Sequence, residues 1–416
     1  MKKLEFVELP PAEWALFEHE QANGGMLQSV EQFALLQDRG ANVKILGLKR
    51  NGELVAGAVV TLNQIRGGKE ILINHGPVLD YEDNGLLHTY LEHLKEYAKP
   101  LGGLYIKFSP NEAYQIFDNE GNGVGLPDED LLNHIEKIGA IHLPFDKGMT
   151  ATNVPSWIYE KDLQTLTEDT LTASYAPDVK YYLKKTQQFG VKLRELGRDE
   201  LPEFKALTED TAKRVGFADK PLEFYQFFYD NYGDRAHYVV AEINFVDYIN
   251  NENDVIAKLD EKLTTLQERL AVKETKKNRG QFNEFTDQKQ QHKKRIQKIV
   301  DMFGDQVPTT DVIVAGALFV EQPQEMSYLY SGMYEQYKEF FGPYLIQDTM
   351  MRKAIAAGLP KYNFLGISGD FDGTDGVFKF KKEFNGQPVQ MLGEFEYPIR
   401  HLKHKMYKSL KRVLNR

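Results

Sequence analysis

The residues best able to do chemistry lie near the C-terminus, in Tyr362–Phe384, YNFLGISGDFDGTDGVFKFKKEF. A strand-like run ends at Gly366, a flexible Gly-Asp turn follows, and Val377, Phe378 and Phe380 then stand among Lys379, Lys381 and Lys382. Read as a strand, the alternation places Phe378 and Phe380 on one face and Lys379 and Lys381 on the other. A lysine held beside aromatic rings in a water-poor site can stabilise negative charge developing on an oxygen. On these residues alone, a solvated basic strand edge is the simpler reading.

Other chemistries find little support. The chain has no cysteine, which excludes thiol nucleophiles, iron–sulfur clusters, disulfide scaffolds and Cys-ligated zinc. Gly121-Asn122-Gly123-Val124-Gly125 is not followed by a helix at the right spacing, and no GxxxxGK[ST] occurs, so a surface loop is expected rather than a phosphate cradle. Asp370, Asp372 and Asp375 begin like a calcium loop, but Thr374 stands at the fifth position, and a glycine-rich turn is the better reading. Only His401 and His404 are close among 10 histidines and no HExxH occurs, so no metal is expected. The Arg/Gln-x-x-Gly-x-Gly/Ala signature that binds acetyl-CoA is also absent, which counts against an acyl-CoA donor. No cofactor is expected.

The elements around these residues read as α/β. At 416 residues, and at about 150 per domain, the chain is expected to hold two or three domains. Strands are predicted at Val43–Leu48 and Glu53–Leu62, joined by a hairpin turn at Asn51-Gly52. A helix over 85–98 with one apolar face and a strand at Leu104–Phe108 follow, then loop composition over 119–130. A second unit of similar rhythm begins near Leu166. It has a basic helix to Gly190, a strand at Val191–Leu196, helices across 202–232 and a strand at Ala236–Ile243. It resumes with strands at Asp311–Val320 and Met326–Ser331, a helix over 343–357 and a strand at Tyr362–Gly366. Between the halves, residues 251–303 are rich in Lys, Glu, Gln and Asn. Leu259, Leu263, Leu266 and Leu270 there have coiled-coil spacing, which predicts an antiparallel helical hairpin turning at Gly280 and projecting as an arm.

Several stretches together resemble the FemABX family, the aminoacyl-tRNA-dependent transferases that build peptidoglycan interpeptide bridges. They are NHGPVLDYED (Asn74–Asp83), PSWIYEKDL (Pro155–Leu163), YLKKTQQFGVKLREL (Tyr182–Leu196), GFADKPLEFY (Gly216–Tyr225), INFVDYI (Ile243–Ile249) and the Phe-Lys pattern near Phe380. They run in order along nearly the whole chain. The resemblance implies two GNAT-like domains with an inserted antiparallel coiled-coil arm. Residues 1–165, completed by 390–416, would form the first domain, 166–245 with 304–389 the second, and 246–303 the arm. It implies transfer of Ala, Ser or Gly from aminoacyl-tRNA to the stem-peptide Lys amine of lipid II or UDP-MurNAc-pentapeptide. An aminoacyl ester is already activated, so neither ATP nor metal is needed.

By the same resemblance, Lys381 is the catalytic candidate for the oxyanion contact, beside Phe380. Lys184 and Lys185, with Tyr182, fall in the basic helix that would meet acceptor phosphate, and Tyr330 corresponds to an aromatic lining the acceptor site. There are departures. Leu35 and Gln37 stand where some members carry a phosphate-binding lysine, Ser109 replaces an aspartate before Pro110, and Val179 and Tyr181 replace arginines of the basic helix. The rival readings are an acyl-CoA-dependent N-acyltransferase and a non-catalytic tRNA-binding relative.

The formal net charge is −10, which argues against a surface basic all over, so any polyanion contact must be local. One such place is the C-terminal segment, where Lys403, Lys405, Lys408, Lys411 and Arg412 flank an apolar stripe of Leu402, Met406, Leu410 and Val413. A basic amphipathic helix suits tRNA phosphates or an anionic membrane face, while a helix packed on the body with a charged outer side is an equally simple reading. No signal core or run of about 20 apolar residues is present. A cytoplasmic, membrane-peripheral protein is expected.

Overall fold

The computed structural model describes residues 3–83, 85–145, 147–148 and 154–414. Two mixed sheets carry the fold. The first runs Leu4–Glu8, Val43–Arg50, Glu53–Ile65, Gly68–Ile73, Gly103–Phe108, Phe395–Pro398, Ile141–His142, with Val78–Leu79 paired onto Glu53–Ile65. Asn51 and Gly52 turn its hairpin with φ of 55° and 92°, as a tight primed turn demands. The helix Leu86–Ala98 lays Leu86, Leu87, Tyr90, Leu91 and Leu94 onto this sheet, all fully buried.

The second sheet runs Lys192–Glu195, Ala236–Ile243, Val312–Gln322, Glu325–Met333, Lys361–Gly366, Trp157–Asp162, Gln387–Met391, Ala113–Phe117, Gly123–Val124. Thus three strands within the expected 1–165 unit, at 113–117, 123–124 and 157–162, pair in the second sheet, while Phe395–Pro398 returns to the first. The chain crosses between the sheets more than once, which ties them together. Residues 119–130, expected as loop, include the two-residue strand Gly123–Val124 and the start of the helix Glu129–Lys137.

The segment between the halves forms two helices, Phe245–Val272 and Lys276–Phe303. They run antiparallel: Phe245 meets Phe303 at 4.9 Å, His292 meets Glu252 at 2.8 Å, and Lys262 lies over Phe285 at 5.3 Å. Leu259 and Leu266 are buried along the seam. The turn is at Lys273–Thr275, not Gly280. Thr275 caps the second helix by accepting from the Asn278 amide, and Gly280 rides inside that helix, where it costs only about 1 kcal/mol.

One irregularity of the second sheet opens a site. Strands Glu325–Met333 and Lys361–Gly366 pair in parallel, but only Met326 with Tyr362 and Ser327 with Asn363 are in register. Beyond that point Asn363 Oδ1 accepts from the Leu365 amide, Leu365 turns to φ of 57°, and the neighbouring ladder bulges at Leu329. The two strands therefore part, and a cavity fills the gap.

Candidate functional site

The stretch that carries Lys381 is a helix, Gly376–Lys382, and not the strand its alternation suggests. The preceding aspartates explain this. Asp375 Oδ1 accepts from the Val377 and Phe378 amides, capping the helix, while its Oδ2 accepts from the Ser368 amide. Asp372 Oδ1 accepts from Thr374, so these carboxylates shape the turn. Among the described residues no three metal-ligating side chains converge. With helical spacing, Phe378 and Lys381 share one face, and both are buried, at 3% and 4% exposure.

Lys381 Nζ donates to Gly366 O at 2.6 Å and Leu365 O at 3.2 Å, the end of the strand that diverges. Burial lowers its pKa to about 7, and Asp375 offsets this only in part. Lys161 clips the far end of the same helix by donating to Phe384 O at 2.9 Å and Asn385 O at 3.1 Å. Burial brings that lysine to about 8.

Lys381 lines a cavity of about 790 Å³ in the gap between the strands. Phe380, Tyr182 and Tyr330 line it too, so four of the six expected site residues converge there. Tyr182 stacks on Phe341 at 4.5 Å and meets Tyr344 at 4.6 Å; Phe380 meets Tyr344 edge-on at 5.1 Å. Ala315, Gly316, Ala317 and Gly332 keep the opposite wall low. The result is an aromatic chamber with an ammonium at its end.

Tyr330 also borders a second cavity of about 500 Å³, which shares Leu329, Tyr330 and Leu365 with the first. This one lies between the two sheets' units and carries two cations that the motif comparison did not single out, Arg39 and Lys220. Both lie over the Phe224 ring, at 5.3 Å and 5.5 Å. Arg39 comes two positions after Gln37, where a lysine is missing, and Lys220 lies within GFADKPLEFY. No signal in the sequence joins them, because only folding brings positions 39 and 220 together at Phe224.

Lys184 and Lys185 line neither cavity. On the helix Pro177–Phe189, Lys184 is exposed. Lys185 donates to Gln188 and lies over Tyr181 and Phe189 at 5.5 Å and 5.8 Å. Tyr182 reaches the chamber through its packing on Phe341 and Tyr344. In the C-terminal helix His401–Leu414, Lys408 is spent internally on Glu396 at 2.6 Å, whereas Lys403, Lys405, Lys411 and Arg412 are exposed.

Residues 9–412 match the FemAB family. The chain is 30% identical to aminoacyltransferase FemA of Staphylococcus aureus strain bovine RF122 / ET3-1, over 99% of this chain and 100% of that one. FemA of Staphylococcus aureus strain N315 is similar to the same extent, again 30% identical with 99% and 100% covered. The crystal structure of FemX has the same fold, with a TM-score of 0.77 at 20% identity, over 97% of this chain and 99% of that one. Because the match runs almost end to end, the chain belongs to the FemAB family.

Proposed function

We propose that this protein is an aminoacyltransferase of peptidoglycan bridge synthesis, moving Ala, Ser or Gly from aminoacyl-tRNA to the stem-peptide Lys amine of lipid II or UDP-MurNAc-pentapeptide. The observation that carries this reading is the buried Lys381 ammonium at the end of the aromatic chamber. The free amine attacks the ester carbonyl, a C–N bond forms, the C–O bond to the ribose breaks, and the ribose hydroxyl leaves with a proton. Charge builds on the carbonyl oxygen, and Lys381 donates to it from a position already fixed by Leu365 O and Gly366 O. Phe380, Tyr182 and Tyr344 give the site an apolar aromatic wall, and a less polar surrounding strengthens that contact.

The precursor's phosphates are assigned to Arg39 and Lys220 in the cavity between the units, with its peptide passing Tyr330 to reach Lys381. Lys184, exposed on the helix that presents Tyr182, is available to the phosphates of tRNA, with Lys185 beside it. Each sheet with its helices reads as a GNAT-like domain, and the helix pair as a coiled-coil arm. Among the described residues no helix is long and apolar enough to cross a membrane. A cytoplasmic setting follows from the tRNA and nucleotide-linked substrates.

The test is a transfer assay with charged tRNA and UDP-MurNAc-pentapeptide, read by mass. The wild type should give a product heavier by one residue. Lys381→Ala should remain folded and lose about 10²–10³ in rate, the usual cost of one oxyanion donor. Transfer from acetyl-CoA alone, or full activity in Lys381→Ala, would sink the proposal.

A further inference from the structure

The helix His401–Leu414 turns its apolar side away from the protein. The side that meets the body is polar: His404 Nε2 lies 2.9 Å from Glu396, Lys408 pairs with the same carboxylate, and Tyr407 packs near Tyr105 at 6.0 Å. On the outside, Leu402, Met406, Leu410 and Val413 are 79%, 72%, 46% and 70% exposed. At 3.6 residues per turn the four fall within roughly 80° of arc, one continuous stripe. Single exposed apolar residues are ordinary, but a row of four on one helix is not. Lys403 and Lys405 border the stripe on its two sides, Lys411 and Arg412 follow, and residues 399–416 contain no acid.

We propose that this helix docks the protein on an anionic lipid surface. Leu402, Met406, Leu410 and Val413 enter the headgroup region, and Lys403, Lys405 and Arg412, which flank the stripe, meet lipid phosphates. Charge complementarity and the stripe together select this occupant. Bound tRNA would use the cations and leave four apolar side chains in water. A second copy would cover the stripe but bring two basic flanks against each other. The chain as a whole is acidic at −10 despite this segment, so an anionic surface repels the rest of the molecule and attracts the helix. The anchoring of His404 and Lys408 on Glu396 makes the helix a fixed foot, so docking also sets the orientation of the body.

The test uses the full chain with phosphatidylcholine vesicles, with and without phosphatidylglycerol. The wild type should sediment with the phosphatidylglycerol vesicles only, and less at high salt. Met406→Glu with Val413→Glu, both at exposed positions, should weaken partitioning about tenfold or more while the thermal melt is unchanged. Transfer to the soluble nucleotide-linked acceptor should be unaffected in this variant, so failure of docking and failure of the aminoacyl-transfer reading are told apart. Three results overturn the proposal: no wild-type binding to anionic vesicles, wild-type binding by the double variant, or a variant effect on tRNA binding or self-association in place of vesicle binding.

Discussion

Lys381 has an ammonium whose charge is costly where it sits, because burial brings its pKa to about 7. The protonated form is the one that can stabilise an oxyanion. Below about pH 7 that form dominates, and as pH rises past 7 it is lost. The acceptor amine needs the opposite, since its ordinary pKa near 10.4 keeps it charged at low pH. A bell-shaped rate profile is therefore expected, with a basic limb near pH 7 that disappears from the residual rate of Lys381→Ala. A second expectation concerns Arg39. Arg39→Gln should raise KM for UDP-MurNAc-pentapeptide about tenfold or more while kcat changes little, because a charged hydrogen bond to phosphate is worth about 1.5–3 kcal/mol. Steady-state kinetics with the acceptor varied would check this, and an effect confined to kcat would contradict it. At this scale the Phe380-Lys381 pair was legible as a pattern of residue types. The pairing of Arg39 with Lys220 was not, because it arises from a contact between units.

The short helix Gly376–Lys382 is positioned by the turn before it. Gly369 has φ of 75°, and a Cβ there would come 2.6 Å from Trp157 Nε1. Gly369→Ala must then bear a left-handed backbone, which costs about 1–2 kcal/mol, and also displace a buried indole. A lower melting temperature and a fall in transfer are expected together, and an unchanged melt would show that the turn has another route. Alternation suggested a strand here because Val377, Phe378, Lys379, Phe380 and Lys381 carry the period of two. The helix prevails through the Asp375 cap and the packing of Phe378 against Tyr159 and Phe371, at 5.9 Å and 5.3 Å. Longer elements were easier to read. The helix Leu86–Ala98 and the strand Ala236–Ile243 have enough periodic or continuous apolar residues for local pattern and burial to agree.

At the scale of the molecule, the seam between the units matters most. Gln324 donates to Glu18 O and Gln21 O, and Tyr232 donates to Gln32, joining the second sheet's elements to the first helices. Glu18 itself is fully buried, and burial raises its carboxyl to about 7, while the Gly25 amide pulls the other way. The native state thus holds a proton that the unfolded chain releases near 4.5, and stability declines as pH climbs from there to 7. Glu18→Gln keeps an acceptor for Gly25 without the charge. It should remove that decline and melt higher than wild type at pH 8, by calorimetry; equal melts at pH 8 would show that Glu18 is not strained by its charge. The amino-acid sequence alone determined the α/β class, the Asn51-Gly52 hairpin, the helix pair between the halves and the family resemblance, since each is written in local period, turn chemistry or motif order. Only the tertiary structure decided that three strands of the first half join the second sheet. The same holds for the parting of strands at Leu329 and Leu365, which encloses Lys381, and for the apolar stripe of the last helix facing outward. These features depend on which surfaces remain uncovered once distant segments have packed, and no local pattern encodes that.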